Sequence, residues 1–474
     1  MMTSLLLAAA LTADFGTETG RIRPELHSSG IGPTVCSQTK QDLEDVKAMG
    51  FALARTHDWA LINSNQRVCD YFHIFPLMHL DAKDPKNYVF GPTDYLLKRT
   101  REEAGLGVFY RLGTSIEHSG KKVHFNSVIP ADFDKMAEIF AATVRHYNRG
   151  WANGFLWGIK YWEIWNEPEG MQDMWCPPEG IEGLEGEQLA AKRLEMRGKF
   201  VKFYVTVLKR LKSEFGDEIK VGGPALQDYR VEWLKDLLQG CKDAGVAPDF
   251  ISWHGYANDP RRYREQAEKG RQLCDGYGFT NCELIINEWH YFGYGDYDWN
   301  DMQRCSDPKV KARIWTGPRS HNGIHSACYT LAALAEMQRS KLSQAYFYGC
   351  RHTGAWGFKD ENQNKYKVFY GLKMFGDLIK GAPAMCACDS DESYTMLAVK
   401  GAEGRKSLLV VDYGGTTHDI SVKVDGVKPG ARVSCTVLDW THDLEPHPAT
   451  FKDGVLSLRK NDSYSAAFVV TFED

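Results

Sequence analysis

Two glutamates stand where apolar segments of this 474-residue chain end, and each follows an asparagine. Glu167 lies in the segment 161–168 (YWEIWNEP), and Glu288 lies in the segment 284–289 (LIINEW). Two carboxyl groups that face one bond can divide the chemistry, because one protonates a leaving oxygen while the other attacks carbon. Cleavage of a glycosidic bond with retention requires such a pair about 5–5.5 Å apart. One Glu of this kind is more often a helix cap or a surface ion-pair partner, but two in matched contexts favour a catalytic pair.

The segments around these residues predict the elements that position them. Between about residues 22 and 385, short β-branched or aromatic runs alternate with stretches whose apolar residues recur every three or four positions. Helices are expected over 43–49, 95–104, 133–147, 200–215, 233–244 and 327–337, with Asp132 capping the third. Strands are expected over 23–27, 52–56, 107–112, 160–165, 220–223, 250–253, 284–287 and 344–348.

Eight strands that alternate with helices predict a (β/α)₈ TIM barrel, an α/β fold, spanning 21–382. In such a barrel the C-terminal strand ends carry the reactive groups. The fourth and seventh strands face each other across the barrel mouth, so Glu167 and Glu288 can bracket one bond.

The pattern changes after Gly381, where helical periodicity ends and short alternating runs are separated by turn residues. This texture predicts an accessory antiparallel β-sandwich domain over 383–474. The residues 5–15 also resemble a strand, so we expect one or more strands from 1–20 to join this domain.

Composition narrows the range of partners. The formal net charge of −5 and the lack of a basic stripe argue against a nucleic-acid partner. No apolar segment approaches the length of a membrane span. The 12 cysteines lack zinc-type spacing, so we expect buried or free thiols.

The motifs resemble those of a known family. WNEP at 165–168 and NEW at 287–289 are similar to the acid/base and nucleophile signatures of the large retaining (β/α)₈ clan of glycoside hydrolases. More narrowly, the chain resembles glycoside hydrolase family 39, which contains β-xylosidases and α-L-iduronidases, in segments 54–57 (ARTH), 220–225 (KVGGPA) and 252–256 (SWHGY). The resemblance covers about 20–380, and the accessory domain also fits it.

The resemblance implies exo-acting hydrolysis of a terminal glycoside by double displacement, with an oligosaccharide or glycoside as substrate and with no metal or organic cofactor. It assigns the acid/base role to Glu167 and the nucleophile role to Glu288. It further places substrate-binding or orienting residues around them. Asn166 would bind the sugar 2-hydroxyl, Arg55 and Tyr256 would orient the nucleophile, and His57 and His254 would line the −1 subsite.

One segment departs from the xylosidase pattern. Residues 346–352 (YFYGCRH) lack the acidic hydroxyl-binding residues, and Tyr348 or Trp356 would have to replace the sugar-stacking tryptophan. Arg351 and His352 could meet a uronate carboxylate, as in an α-L-iduronidase-like hydrolase, or could belong to a solvated loop.

Two other classes of protein fit the sequence less well than a hydrolase of this type. A carbohydrate-binding pseudoenzyme is disfavoured because both glutamate positions are occupied. A metal-dependent barrel hydrolase would need a His-x-His pair on the first strand, which the segment 23–27 (RPELH) does not supply.

The location of the protein is a further expectation. Glycan-degrading enzymes are often exported, so a periplasmic or extracellular location is expected, with a cytoplasmic one left open. The apolar segment 4–11 lacks a preceding basic stretch and a clean cleavage site.

Overall fold

The chain forms a closed eight-stranded parallel barrel and a second β-sheet. The computed structural model describes residues 11–31, 39–57, 59, 68–114, 129–169, 181, 183–293, 307–315, 317–353, 356–360, 362–391, 393–413 and 418–473. The barrel strands follow chain order, and the last pairs with the first. They are β2 (Ser28–Ile31), β3 (Leu53–His57), β4 (Gly107–Leu112), β5 (Tyr161–Ile164), β6 (Lys220–Leu226), β7 (Phe250–Ala257), β8 (Glu283–Tyr291) and β9 (Gln344–Phe347). The predicted (β/α)₈ barrel is confirmed.

Helices connect the barrel strands. They are α1 (Lys40–Met49), α2 (Tyr71–Ile74), α3 (Gly91–Lys98), α4 (Phe133–Arg149), α5 (Gly186–Phe215), α6 (Val231–Asp243), α7 (Arg262–Gly276), α8 (Pro308–Trp315), α9 (Ile324–Gln338) and α10 (Lys367–Ile379). The Asp132 side chain caps α4 as predicted, because it accepts a hydrogen bond from the backbone N–H of Lys135 at 2.9 Å. Almost the whole of α9 is buried, since it lies between the barrel and the second sheet.

The first barrel strand differs from the prediction. The segment 23–27 contains a 3₁₀ turn (Pro24–Leu26), and the strand begins only at Ser28. Pro24 has no N–H to give to a sheet, and the Arg23 guanidinium instead donates to the carbonyls of Ser340 and Met337, both at 2.9 Å. The true strand (SSGI) carries a single large apolar residue, so it gave no strand-like signal.

Side chains inside the barrel are arranged in layers. Phe109, Phe250, Ile285 and Tyr346 are fully buried and close the interior with an apolar layer. Successive inward positions on a strand are two residues apart. The residues two positions further along the barrel strands therefore form the next layer toward the C-terminal ends. That layer is polar and includes Arg55, Glu163, Ser252 and Asn287, all fully buried.

The second sheet has ten strands. They are β1 (Leu11–Arg21), β12 (Ala384–Cys388), β13 (Tyr394–Lys400), β14 (Lys406–Asp412), β15 (Asp419–Asp425), β16 (Arg432–Leu438), β17 (Asp443–Pro446), β18 (Ala449–Lys452), β19 (Val455–Arg459) and β20 (Ala466–Glu473). Their order across the sheet is β17-β16-β20-β14-β13-β12-β1-β15-β19-β18. The pairing is antiparallel except between β1 and β15. The sheet encloses its own apolar core, which includes Phe15, Val422 and Phe468. An accessory β-domain is therefore present, and β1 lies within its sheet. Two short strands, β10 (Arg351–Thr353) and β11 (Gly357–Lys359), pair separately.

Contacts with α9 and α10 join the sheet to the barrel. Lys367, at the start of α10, lies 2.6 Å from the Asp443 carboxylate, and the His325 ring lies 2.9 Å from the Ser465 hydroxyl. In the described part of the chain, every helix is too short or too polar to cross a membrane. The nine cysteines described are unpaired thiols.

Candidate active site

Glu288 lies near the end of β8 and is 3% exposed. Its Oε1 accepts a hydrogen bond from Arg55 Nη1 at 2.8 Å, and its Oε2 accepts one from the Tyr256 hydroxyl at 2.9 Å. His57 Nε2 lies 3.4 Å from Oε1. Burial raises the pKa of Tyr256 well above its usual value, and the negative charge of Glu288 raises it further. Tyr256 therefore remains a phenol that donates, and both donors stabilise the ionised form of Glu288.

Arg55 connects three groups of the site. Its Nε donates to Glu163 at 2.7 Å, and its Nη2 donates to the Asn166 side-chain oxygen at 2.7 Å. Burial lowers the pKa of Arg55, but the carboxylates of Glu163 and Glu288 outweigh that cost, so the pKa is raised. The guanidinium is therefore a permanent cation held in one orientation beside Glu288.

Glu163, a residue with no predicted role, stands below the site on β5. Its Oε2 accepts from Arg55, and its Oε1 accepts from the Ser252 hydroxyl at 2.7 Å and the Asn287 amide at 2.6 Å. A buried charge is stable only when it is paired and hydrogen-bonded, and Glu163 meets both conditions. Its signal in the sequence was a charged residue at an inward position of an otherwise apolar strand.

An irregularity in strand pairing brings Glu288 to the mouth. Trp253 of β7 pairs with Ile286, but His254 pairs with Glu288, so Asn287 has no partner across the ladder. Without this bulge, Glu288 would follow the inward-pointing Asn287 and would face the helices. A bulge can re-aim a side chain in this way.

Glu167 follows β5 on a sharply turned segment. Trp165 (φ 75°) and Glu167 (φ 44°) both have left-handed backbone conformations, and the Glu167 N–H donates to the Ala225 carbonyl at 2.9 Å. The neighbouring β6 can approach this turn because Gly223 has no Cβ. A Cβ at this position would stand only 2.7 Å from the Ile164 carbonyl oxygen. Gly223 also has a φ of 136°, which disfavours other residues. The KVGGPA motif thus supports the backbone of the Glu167 turn.

The two oxygens of Glu167 have different neighbours. Oε1 lies 2.9 Å from His254 Nδ1, which is itself 3.4 Å from Glu288 Oε2. Burial lowers the pKa of His254 to about 4, so its ring is neutral near pH 7. Oε2 accepts a hydrogen bond from the Gln227 side-chain amide at 3.2 Å. Gln227 was not singled out in the sequence, and its position after β6 gave no chemical signal.

The two candidate carboxylates are close together. Oxygen atoms of Glu167 and Glu288 and a ring nitrogen of His254 all lie within 4.8 Å of one another. Three such atoms could in principle ligate a metal ion, but the Arg55 guanidinium stands 2.8 Å from Glu288 and would repel a cation. We therefore assign no metal to this group.

Aromatic side chains and one amide complete the surroundings. The Tyr256 ring lies 5.7 Å from the Trp356 ring and 6.2 Å from the Tyr348 ring, and the latter two are 5.3 Å apart. The Asn166 Nδ2 is buried and finds no acceptor among the described residues. The structure therefore brings together all seven residues that the resemblance named. The side chains of Arg351 and His352 lie outside the described residues.

Comparisons with known proteins are consistent with this architecture. No family model matches the chain. A 135-residue segment is 25% identical to a β-xylosidase from Geobacillus stearothermophilus and covers 28% of this chain and 22% of that protein. A 223-residue segment is 26% identical to a β-xylosidase from Caldicellulosiruptor saccharolyticus and covers 44% of this chain and 38% of that protein. The matches thus span well under two thirds of either relative.

A solved structure matches over nearly the full length. The crystal structure of a glucosidase from Croceicoccus marinus covers 99% of this chain and 99% of its own, with a TM-score of 0.71 and 19% sequence identity. The fold, a (β/α)₈ barrel with an accessory β-sheet, is therefore shared with a glycoside hydrolase.

Proposed function

We propose that this chain is a retaining glycoside hydrolase in which Glu288 is the nucleophile and Glu167 is the acid/base. The observation that carries the proposal is the approach of their carboxylate oxygens to within 4.8 Å. Retaining enzymes hold their carboxyl groups about 5–5.5 Å apart, whereas inverting enzymes need about 6.5–9.5 Å to admit a water.

The first half-reaction depends on the different surroundings of Glu288 and Glu167. Glu288, ionised beside Arg55 and Tyr256, attacks the anomeric carbon and forms a covalent glycosyl ester. The bond to the leaving oxygen breaks as Glu167 transfers its proton to that oxygen. In the second half-reaction, Glu167 accepts a proton from water, which attacks the anomeric carbon and releases Glu288.

Contacts for the sugar come from residues around the two carboxylates. The free N–H of Asn166 is a donor for the 2-hydroxyl, and Arg55 fixes its orientation by holding the amide oxygen. The rings of Tyr348 and Trp356 provide apolar faces suited to the C–H face of a sugar. His57 and His254 stand beside the carboxylates where ring hydroxyls would lie.

For the substrate, we propose a terminal glycoside cleaved in a β-xylosidase-like manner. The two β-xylosidase matches support this choice over the uronide alternative. Membership of family 39 stays a prediction, as does the exo mode of action.

Glu288→Gln distinguishes a glycoside hydrolase from a carbohydrate-binding pseudoenzyme. We expect its turnover of aryl glycosides to fall by several orders of magnitude, because no covalent intermediate can form. Glu283→Gln is the matched control on the same strand, since Glu283 lies at the opposite end of the barrel near Lys220. A Glu288→Gln enzyme that keeps more than about a tenth of the activity would assign the nucleophile elsewhere.

Glu167→Ala tests the acid/base role separately. Activated aryl leaving groups depart without protonation, so this variant should slow a natural glycoside far more than a dinitrophenyl glycoside. Azide should then restore turnover of the activated substrate, because a small anion needs no general base. Equal slowing of both substrates, with no azide effect, would contradict the assignment.

A further inference from the structure

Glu169 stands two residues beyond the proposed acid/base and is joined to it through Gln227. Its Oε1 accepts a hydrogen bond from the backbone N–H of Gln227 at 2.7 Å. The side-chain amide of the same Gln227 donates to Glu167 Oε2 at 3.2 Å. One residue of the β6 loop therefore touches both carboxyl groups.

We propose that Glu169 is a positioning residue for the acid/base: it fixes Gln227, and the Gln227 amide orients the Glu167 carboxyl group. This inference rests on the function proposed above and adds a residue pair to its machinery.

The direction of the Gln227 hydrogen bond determines which oxygen of Glu167 carries the proton. An amide N–H can only donate, so it favours an unprotonated Oε2. The proton is then directed to Oε1, the oxygen that faces His254 Nδ1 at 2.9 Å. His254 Nδ1 also lies 3.4 Å from Glu288, so Oε1 is on the side where the scissile bond must lie between the two carboxylates. Releasing Gln227 would leave the acid without a preferred oxygen.

The surroundings of Glu169 suit a neutral acceptor. The pKa of Glu169 is raised to about 8, mainly by burial and then by the negative charge of Glu167, although the hydrogen bond from the Gln227 backbone N–H and the charge of Arg230 lower it. Its Oε2 is inaccessible to solvent and finds no partner among the described residues. Beside it lies a cleft of about 500 Å³. A neutral Glu169 anchors Gln227 without adding a second negative charge next to Glu167.

Substitutions at both residues test the inference in the full-length enzyme. Glu169→Gln keeps an acceptor oxygen and the neutral charge, so its kcat/KM should stay within about twofold of wild type on every substrate. Glu169→Ala leaves the Gln227 N–H without its acceptor, and Gln227→Leu removes the amide. Each should lower kcat/KM about tenfold for a poorly activated aryl glycoside but only about twofold for a dinitrophenyl glycoside, since only the former needs the proton.

Coupling between the two residues gives a second measurement. The double variant Glu169→Ala/Gln227→Leu should be no slower than either single variant, because both break the same connection. Glu195→Ala, an exposed glutamate near the cleft, is the matched control and should leave kcat/KM unchanged. Thermal midpoints of all variants show whether a loss reflects folding.

Three outcomes would overturn the inference: equal slowing of both substrates by Glu169→Ala, full additivity in the double variant, or failure of Glu169→Gln to retain activity. Glu167→Ala measured in parallel distinguishes a wrong positioning role for Glu169 from a wrong acid/base assignment for Glu167. If Glu167→Ala shows leaving-group dependence and azide rescue but Glu169→Ala shows no such dependence, only the positioning role is wrong. If neither does, the proposed acid/base assignment is wrong, and the inference falls with it.

Discussion

Replacing Glu163 by Gln tests whether the polar layer beneath the site holds the catalytic residues. The substitution conserves shape but removes the charge that pairs with Arg55. Gln can still accept from Arg55 Nε through its one oxygen, and its new N–H₂ can face Asn287, whose side-chain oxygen has no described partner. The Ser252 hydroxyl then loses its acceptor, because an N–H₂ group replaces the Glu163 Oε1 to which it donates.

The expected magnitude follows from the burial of the pair, since both side chains are fully inaccessible to solvent. Breaking a buried ion pair from one side costs about 3–5 kcal/mol of stability. Arg55 would also shift relative to Glu288, and a misplacement of about 1 Å can lower the rate about 100-fold. We therefore expect a lower urea unfolding midpoint together with a kcat/KM reduced about 100-fold.

The control for this experiment is again Glu283→Gln. Glu283 pairs with Lys220, but both side chains are partly exposed, so the loss should be about 1 kcal/mol or less. Urea unfolding and initial rates on an aryl glycoside measure both effects. A Glu163→Gln enzyme that unfolds at the same urea concentration as Glu283→Gln and retains wild-type kcat/KM would refute this role of Glu163.

Two further predictions concern the nucleophile and the buried histidines. Tyr256→Phe removes a charge-assisted hydrogen bond worth about 1.5–3 kcal/mol, so kcat/KM should fall about 10- to 100-fold while the thermal midpoint stays near that of wild type; an unchanged rate would show that Tyr256 does not support Glu288. The pKa values of His27 and His254 are lowered to about 4 and that of His290 to about 3, mainly by burial. The unfolded chain binds these protons near pH 6.5 but the native state does not, so stability is present above pH 6.5 and is lost as pH falls toward 4. Thermal midpoints should therefore drop between pH 7 and 5.5, and a constant or rising midpoint would contradict neutral, buried rings.

The part of the site that follows simple strand periodicity could be predicted from the sequence. Arg55 and His57 are two positions apart on β3, and His254 and Tyr256 are two positions apart on β7. Each pair therefore lies on one face of its strand, which is the inward face of the barrel. Glu167 was found because its motif ends an apolar run. These inferences need only local pattern and the geometry of a barrel.

Other features depend on contacts that no local pattern encodes. Strict alternation would have turned Glu288 outward, and only the bulge at Asn287 brings it to the mouth. Gln227 meets Glu167 because Gly222 and Gly223 let β6 pass close to its neighbours. The first strand was misplaced for the same reason, since its sequence is mostly polar and its position is fixed by pairing with β3 and β9.

The stereochemistry of the first product tests the central claim most directly. Carboxylate oxygens of Glu167 and Glu288 lie within 4.8 Å of each other, which favours direct attack by Glu288 on the anomeric carbon. If Glu288 attacks in this way, the sugar released first keeps the anomeric configuration of the substrate. Proton NMR of the anomeric signal during the first minutes of hydrolysis, before mutarotation, reads this out. A 2-deoxy-2-fluoro glycoside of the same sugar should also leave a covalent adduct on Glu288. Appearance of the inverted anomer first, with no adduct, would contradict double displacement even if both glutamates proved essential.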